Sequence, residues 1–296
     1  MRIDGVFSGG GVKAIAFIGA IKEVEEKGYT FERVAGTSAG AIIAAFIAAG
    51  YSSEEIGTLF DELQLESFLD PPMMGDWFPF SKWLSLYFRL GIYKGKKLEE
   101  WIYDQLAKKG VYTFGDLEDG GLKVIASDLS LGRMVVIPDD LERLYGISPE
   151  HFSVAKAVRM SAGLPYFFIP DRIQGKSPIK SVIVDGGLLS NFPIWVLALP
   201  DERRIRPILG MKLSTSVEHV PPKKLNNAIE MFQALFSTMK KAHDARHISK
   251  AEAVDIIFIP VEDVDTTDFN LSEEQKRNLI SLGKKQAQLF LKTWTK

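Results

Sequence analysis

The chain has 296 residues, 46% of them hydrophobic and 25% charged, and its 36 basic and 38 acidic residues leave a formal charge of −2. This composition excludes a disordered or collagen-like chain, and the balanced charge leaves no electrostatic footprint for nucleic acid. There is no cysteine, which removes disulfides, Cys-ligated zinc, iron–sulfur clusters and a thiol nucleophile, and fits a reducing compartment such as the cytoplasm.

Arg2–Ser8 reads as a short strand ending at Gly9-Gly10-Gly11. Val12–Lys27 follows as a helix, because Val12, Ile15, Ala16, Gly19 and Val24 repeat near the helical period, and Gly28 ends it. The apolar run Ala14–Ile21 lacks the basic approach of a signal peptide, since Asp4 and three glycines interrupt it, so a mature cytoplasmic N-terminus is expected. Thr30–Gly36 is a second strand, and the nearly all-apolar Ala39–Ala49 reads as a buried helix. Ser53–Leu65 is a third helix, with Ser52 or Ser53 as its cap and Glu54-Glu55 in its first turn. Lys96–Lys109 is amphipathic, and Leu122–Ser127 and Arg133–Ile137 read as strands flanking a turn at Leu131-Gly132. Phe152–Met160 reads as helix and Ser181–Val184 as a strand ending at Asp185-Gly186-Gly187. Pro207–Leu213 and Val254–Pro260 read as later strands, Asn226–Ala253 and Ser272–Thr293 as long helices, the last opened by a capping box at Ser272-Glu273-Glu274-Gln275. No apolar run reaches the roughly 18–20 residues that span a bilayer. Strands and helices alternate throughout, without repeat or linker. The expected fold is therefore one α/β domain over residues 1–296, a three-layer α/β/α sandwich with a mostly parallel central sheet.

Three motifs can carry chemistry. Gly36-Thr37-Ser38-Ala39-Gly40 has the G-x-S-x-G pattern of a nucleophile elbow, a sharp strand-to-helix turn that thrusts a serine out of the backbone. The pattern alone is weak, and a tight turn with a structural serine competes with it. Ser8-Gly9-Gly10-Gly11-Val12-Lys13 exposes backbone N–H groups where a strand gives way to a helix, which makes an anion site or an oxyanion hole. Gly9-x-Gly11-x-x-Ala14 also fits a dinucleotide-binding turn, but no acidic residue ends the second strand to hold a ribose, and a Walker loop fails for want of Gly-Lys-Ser/Thr. Asp185-Gly186-Gly187 sets a carboxylate at a strand end, although alone it reads more readily as a turn. A conventional triad would need one of His151, His219, His243 or His247. The order Ser38, Asp185, His suits α/β-hydrolases, but Ser38 comes too early in the chain for that fold. The histidines read as surface residues.

Taken together these motifs resemble those of the patatin-like phospholipase family. The resemblance rests on Gly9-Gly10-Gly11-Val12-Lys13, Gly36-Thr37-Ser38-Ala39-Gly40, Asp185-Gly186-Gly187 and the Ser161-Ala162-Gly163-Leu164-Pro165-Tyr166-Phe167-Phe168 block, in order within residues 3–193. Ala14 departs from it, where the family usually has glycine after the basic residue. The resemblance implies a lipid acyl hydrolase with Ser38 and Asp185 as a catalytic dyad without histidine. It implies an oxyanion hole at Gly9, Gly10 and Gly11, supporting roles for Lys13, Gly36, Gly40, Gly186 and Gly187, and no metal or other cofactor. The implied partners are a phospholipid or lysophospholipid substrate and a peripheral membrane surface, with no nucleic acid. A carboxylesterase without a lipid role and a nucleotide- or lipid-binding module without turnover remain as rival readings. Lys13 either meets a lipid phosphate, steadies the loop or is a solvated helix lysine.

Residues 68–93 concentrate eight aromatics, Phe68, Trp77, Phe78, Phe80, Trp83, Tyr87, Phe88 and Tyr93, beside Met73 and Met74. They form either an interfacial cap over the site or ordinary packing on the sheet. Residues 201–296 carry no motif and are expected to complete the sheet and its helices.

Overall fold

A computed structural model describes residues 1–70, 81–197, 206–214, 231, 234–239, 255–262 and 264–294. The strands are β1 (Arg2–Phe7), β2 (Thr30–Thr37), β3 (Gly91–Tyr93), β4 (Leu122–Asp128), β5 (Arg133–Ile137), β6 (Tyr166–Phe168), β7 (Asp171–Ile173), β8 (Ser181–Asp185), β9 (Ile208–Ser214) and β10 (Asp255–Pro260). The helices are α1 (Ala16–Glu26), α2 (Ala39–Ala48), α3 (Ser53–Asp61), α4 (Ser81–Arg89), α5 (Lys96–Lys108), α6 (Val154–Ser161) and α7 (Glu273–Leu291). Of the expected helix Asn226–Ala253, residues 234–239 are helical and most of the rest lies outside the described residues.

The main sheet runs β10-β9-β1-β2-β4-β8-β7, with β5 also paired to β4. It is an α/β sheet flanked by helices, but it is more mixed than expected. The half from β10 to β4 is parallel, whereas β5 and β8 run antiparallel to β4, and β7 antiparallel to β8. For β5 the cause is local: the short turn after β4 returns the chain as a hairpin, and a hairpin pairs its strands antiparallel.

Strand residues alternate between two cores, as the two-residue period of a strand requires. Ile3, Phe7, Val34, Val124, Leu209 and Met211 face the larger core, shared with residues of α1, α2, α5, α6 and α7. Val6, Ala35, Ile125 and Ile208 face a smaller one closed by Phe192, Ile194, Val196 and Leu197. β9 and β10 extend the parallel half, and α7 lies against α1 so closely that a Cβ on Gly283 would sit 1.8 Å from the Ala16 carbonyl oxygen. The expected capping box forms, Ser272 with Gln275 opening α7, and Ser52, expected as a cap, forms a second box with Glu55 that opens α3.

The helix expected from Val12 begins instead as a 3-10 turn, Gly11–Ile15, before α1. There the Val12 N–H donates to the Thr266 carbonyl (3.2 Å), outside the helix. The short β3, β6 and β7 and the helix α4 have no counterpart among the expected elements. The aromatic segment divides. Phe68 is buried against Trp101, and Tyr93 packs on Phe167, as core residues do. Tyr87 and Phe88 are exposed. Met73, Met74, Trp77, Phe78, Phe80 and the Trp83 side chain lie outside the described residues.

Candidate active site

β2 ends at Thr37 and α2 starts at Ala39, so Ser38 alone makes the turn. Its φ of 57° and ψ of −130° lie where a non-glycine residue is strained. The flanking glycines make the bend possible. A Cβ on Gly36 would lie 2.3 Å from the Gly40 carbonyl oxygen, and one on Gly40 would lie 2.4 Å from that of Phe7. The Ser38 N–H donates to Ser161 Oγ (2.9 Å), which itself donates to the Ile125 carbonyl (2.6 Å). The Thr37 hydroxyl donates to the Ser190 carbonyl (2.9 Å). The bend is thus tied to α6, to β4 and to the segment after Asp185.

Sheet register brings Asp185 to this bend across 147 residues of sequence. Thr37 pairs with Ile125 on β4, and Asp185 pairs with the next residue, Ala126. The Ser38 hydroxyl donates to Asp185 Oδ2 at 2.6 Å, with Ser38 8% and Asp185 2% exposed. The other carboxylate oxygen accepts the Gly187 N–H (2.6 Å), and the Asp185 N–H donates to the Gly163 carbonyl (2.9 Å). Gly186 is pressed on β4, where a Cβ would lie 2.1 Å from the Ile125 carbonyl oxygen. Each end of the aspartate is held, and Oδ2 accepts the serine hydroxyl.

The glycine loop passes directly over Ser38. A Cβ on Gly9 would lie 3.0 Å from the Ser38 Cβ and 2.6 Å from Asn191 Oδ1. Gly9 nevertheless cannot be an oxyanion donor as expected, because its N–H donates to the Asn191 carbonyl (3.0 Å). No acceptor holds the N–H of Gly10 or Gly11 among the described residues. Gly11 takes a φ of +57° with the Thr266 carbonyl oxygen 1.9 Å from where its Cβ would be, so only glycine fits there. The Ser38 N–H, held by Ser161, is equally unavailable as a donor. Lys13 Nζ donates to the Val261 carbonyl (3.0 Å), which ties the loop to the segment after β10.

Two further buried polar residues, Asp70 and Arg159, gather around the start of α5, and sequence reading singled out neither. Asp70 accepts N–H bonds from Gly95 (2.6 Å), Lys96 (2.9 Å) and Lys97 (3.2 Å), capping α5 from outside it. Arg159, two residues before Ser161, donates to the carbonyls of Gly95 (2.9 Å), Lys94 (2.9 Å) and Ile169 (3.1 Å) and lies over the Phe168 ring. Burial pulls its pKa down, and the nearby Asp171, Glu99 and Asp70 push it back up. Of the histidines, His151 is exposed on a short turn, and the other three lie outside the described residues. Among the described residues no group of three or more His, Cys, Asp or Glu side chains forms a metal-binding cluster, and no helix is long and apolar enough to cross a membrane.

A strained serine bonded to a buried carboxylate, beneath a glycine loop with unused N–H groups, is the arrangement of a serine acyl hydrolase. The patatin-like phospholipase family model matches residues 5–198, and the chain belongs to that family of lipid acyl hydrolases. The chain is 53% identical to the uncharacterized protein YqhO of Bacillus subtilis (strain 168) over 295 residues, covering 100% of both chains. It is 25% identical to protein R571 of Acanthamoeba polyphaga mimivirus, covering 93% of this chain and 89% of that one. Its fold is similar to that of VipD from Legionella pneumophila, with a TM-score of 0.57 at 19% identity, over 98% of this chain and 67% of VipD. It is similar as well to the type III effector protein ExoU, with a TM-score of 0.50 at 19% identity, over 98% of this chain and 53% of ExoU. The chain thus spans about half of ExoU's length.

Proposed function

We propose that the chain is a serine hydrolase of the fatty-acyl esters of phospholipids or lysophospholipids, acting through a Ser38–Asp185 dyad. The observation that carries this reading is the 2.6 Å hydrogen bond from the Ser38 hydroxyl to Asp185 at a strained elbow. Asp185 takes the serine proton as Ser38 Oγ attacks the ester carbonyl. The N–H groups of Gly10 and Gly11 receive the oxyanion, aided by the positive end of α2. Collapse expels the lysolipid or glycerol alcohol, protonated by Asp185, and leaves an acyl-enzyme. Water, deprotonated by Asp185, attacks the acyl carbonyl, and the fatty acid departs as Ser38 regains its proton. No histidine and no metal takes part in this scheme, and a cysteine-free chain suits a reducing cytoplasm.

The test is covalent labelling by a fluorophosphonate together with fatty-acid release from phospholipid vesicles. Ser38→Ala abolishes both and leaves the fold intact, because alanine keeps the small volume of the elbow. Asp185→Asn loses about 10²–10⁴-fold in turnover, the usual contribution of a positioned base. Labelling that persists in Ser38→Ala refutes the nucleophile. A preference for short soluble esters over long acyl chains replaces the lipid reading with a general carboxylesterase.

A further inference from the structure

Large apolar side chains gather on the outside of the molecule at one place. Tyr87 (79% exposed) and Phe88 (71%) end α4, packed edge to face with ring centroids 5.0 Å apart. Leu90 (39%) follows them, and Tyr166 (40%) opens β6. The parallel register of β3 and β6 pairs Gly91 with Tyr166, which sets Leu90 beside the same strand start. Arg89 is the only charged residue between 85 and 93, and no carboxylate lies between 81 and 93 or between 163 and 168.

Backbone strain marks the same spot. Among the described non-glycine residues, three have positive φ: Ser38, Leu90 (64°) and Tyr166 (64°). For side chains of this bulk that conformation is unfavourable and persists only where surrounding structure enforces it. One of the three is the reacting serine. The other two carry large side chains that are partly exposed.

The chain segment that carries Tyr166 also contacts the dyad. Gly163, whose carbonyl accepts the Asp185 N–H, lies three residues before Tyr166. Phe167, next to Tyr166, stacks on Phe269 with centroids 5.4 Å apart and planes at 10°. Phe269 lies three residues beyond Thr266, whose carbonyl accepts the Val12 N–H beside the glycine loop. Phe167 and Phe269 thus stack between the chain that carries Tyr166 and the chain that carries Thr266.

We propose that Tyr87, Phe88, Leu90 and Tyr166 form the surface by which this protein docks on a lipid bilayer. The proposal rests on the lipid-hydrolase reading for its choice of occupant. Tyrosine and phenylalanine settle at the headgroup level, and Arg89 lies where it meets lipid phosphates.

The experiment uses the Ser38→Ala chain, which leaves lipid intact, and vesicles of phosphatidylcholine and phosphatidylglycerol. Adding Tyr87→Ala and Phe88→Ala weakens co-flotation by about tenfold or more, as the removal of two inserting rings requires. The melting temperature stays within a few degrees, since neither ring belongs to the core. The chain has no cysteine, so Phe88→Cys accepts an environment-sensitive fluorophore at one site, and its emission shifts to the blue on vesicle addition. Unchanged flotation, an unshifted probe or a large drop in melting temperature overturns the proposal. So does a dimer of the parent chain that dissociates in the double variant, because the patch then belongs to a second copy. Fatty-acid release by the native chain is measured separately. Patch-dependent flotation without release removes the hydrolase reading alone, and release with patch-independent flotation removes the docking surface alone.

Discussion

Ser161→Ala is the sharpest test of how the elbow is held. The substitution removes one oxygen that accepts the Ser38 N–H at 2.9 Å and donates to the Ile125 carbonyl at 2.6 Å. Both bonds are buried, and a buried donor left without a partner costs about 1–3 kcal/mol. At about 2–4 °C of melting temperature per kcal/mol in a large domain, the variant melts roughly 2–12 °C lower. Activity changes by more than stability does. Ser38 is held at a strained φ of 57°, and without the Ser161 bond the turn relaxes and carries Oγ away from Asp185. A displacement near 1 Å costs about 10²-fold in turnover. The expected result is a fall in kcat of about 10- to 100-fold with KM little changed, since KM reports substrate contacts that Ser161 does not make. Fluorophosphonate labelling, which reads the reactivity of Oγ without a lipid, slows by the same factor. A variant that melts lower yet labels and turns over at the native rate makes Ser161 a packing residue and refutes the reasoning.

Three further outcomes follow from the same geometry. Gly9→Ala places a methyl group 3.0 Å from the Ser38 Cβ and 2.6 Å from Asn191 Oδ1, so turnover falls at least about tenfold, the scale of a sub-ångström misplacement; native kcat in the folded variant contradicts this. Gly283→Ala meets the Ala16 carbonyl at 1.8 Å, backbone against backbone, and forces α1 and α7 apart at about 1–3 kcal/mol, seen as a lower melting temperature; an unchanged melt shows that the two helices slide apart freely. Burial, and after it Asp171, raises the Glu99 carboxyl above its ordinary range. Its folded pKa therefore exceeds its unfolded one, and its contribution to stability declines as pH rises from about 4.5 through the raised value. Glu99→Gln melts higher than the native chain at pH 7 and loses the advantage toward pH 4. A melting difference that grows toward acid pH reverses that sign.

Several features of this fold could be read from short stretches of chain. The cap at Ser52 and the capping box Ser272–Gln275 form as read, because a cap joins residues three apart and needs nothing else. The glycines of the elbow were legible for a related reason, since a five-residue bend this sharp leaves no room for a Cβ at Gly36 or Gly40. The short strands β3 and β6 escaped notice because neither has enough residues to show a period, and each exists only by pairing with the other. Arg159 sits in a helix whose composition suggests a solvated charge, yet it is buried among carbonyls from Lys94, Gly95 and Ile169.

What the sequence determined by itself is local: which serine sits in the bend, where the backbone must be glycine, and which aspartate ends a strand. Its likeness to a family then joined those pieces in order. Tertiary structure alone decided that Asp185 lies 2.6 Å from Ser38, that Ser161 holds the nucleophile's N–H, and that Gly9 is taken by Asn191 while Gly10 and Gly11 are not. The same holds for the direction of β8, which meets β4 antiparallel in the register Asp185↔Ala126. A shift of one residue in that pairing would turn the carboxylate to the opposite face of the sheet. Register is set by the summed packing of both faces across more than a hundred residues, and no local pattern of side chains encodes that sum.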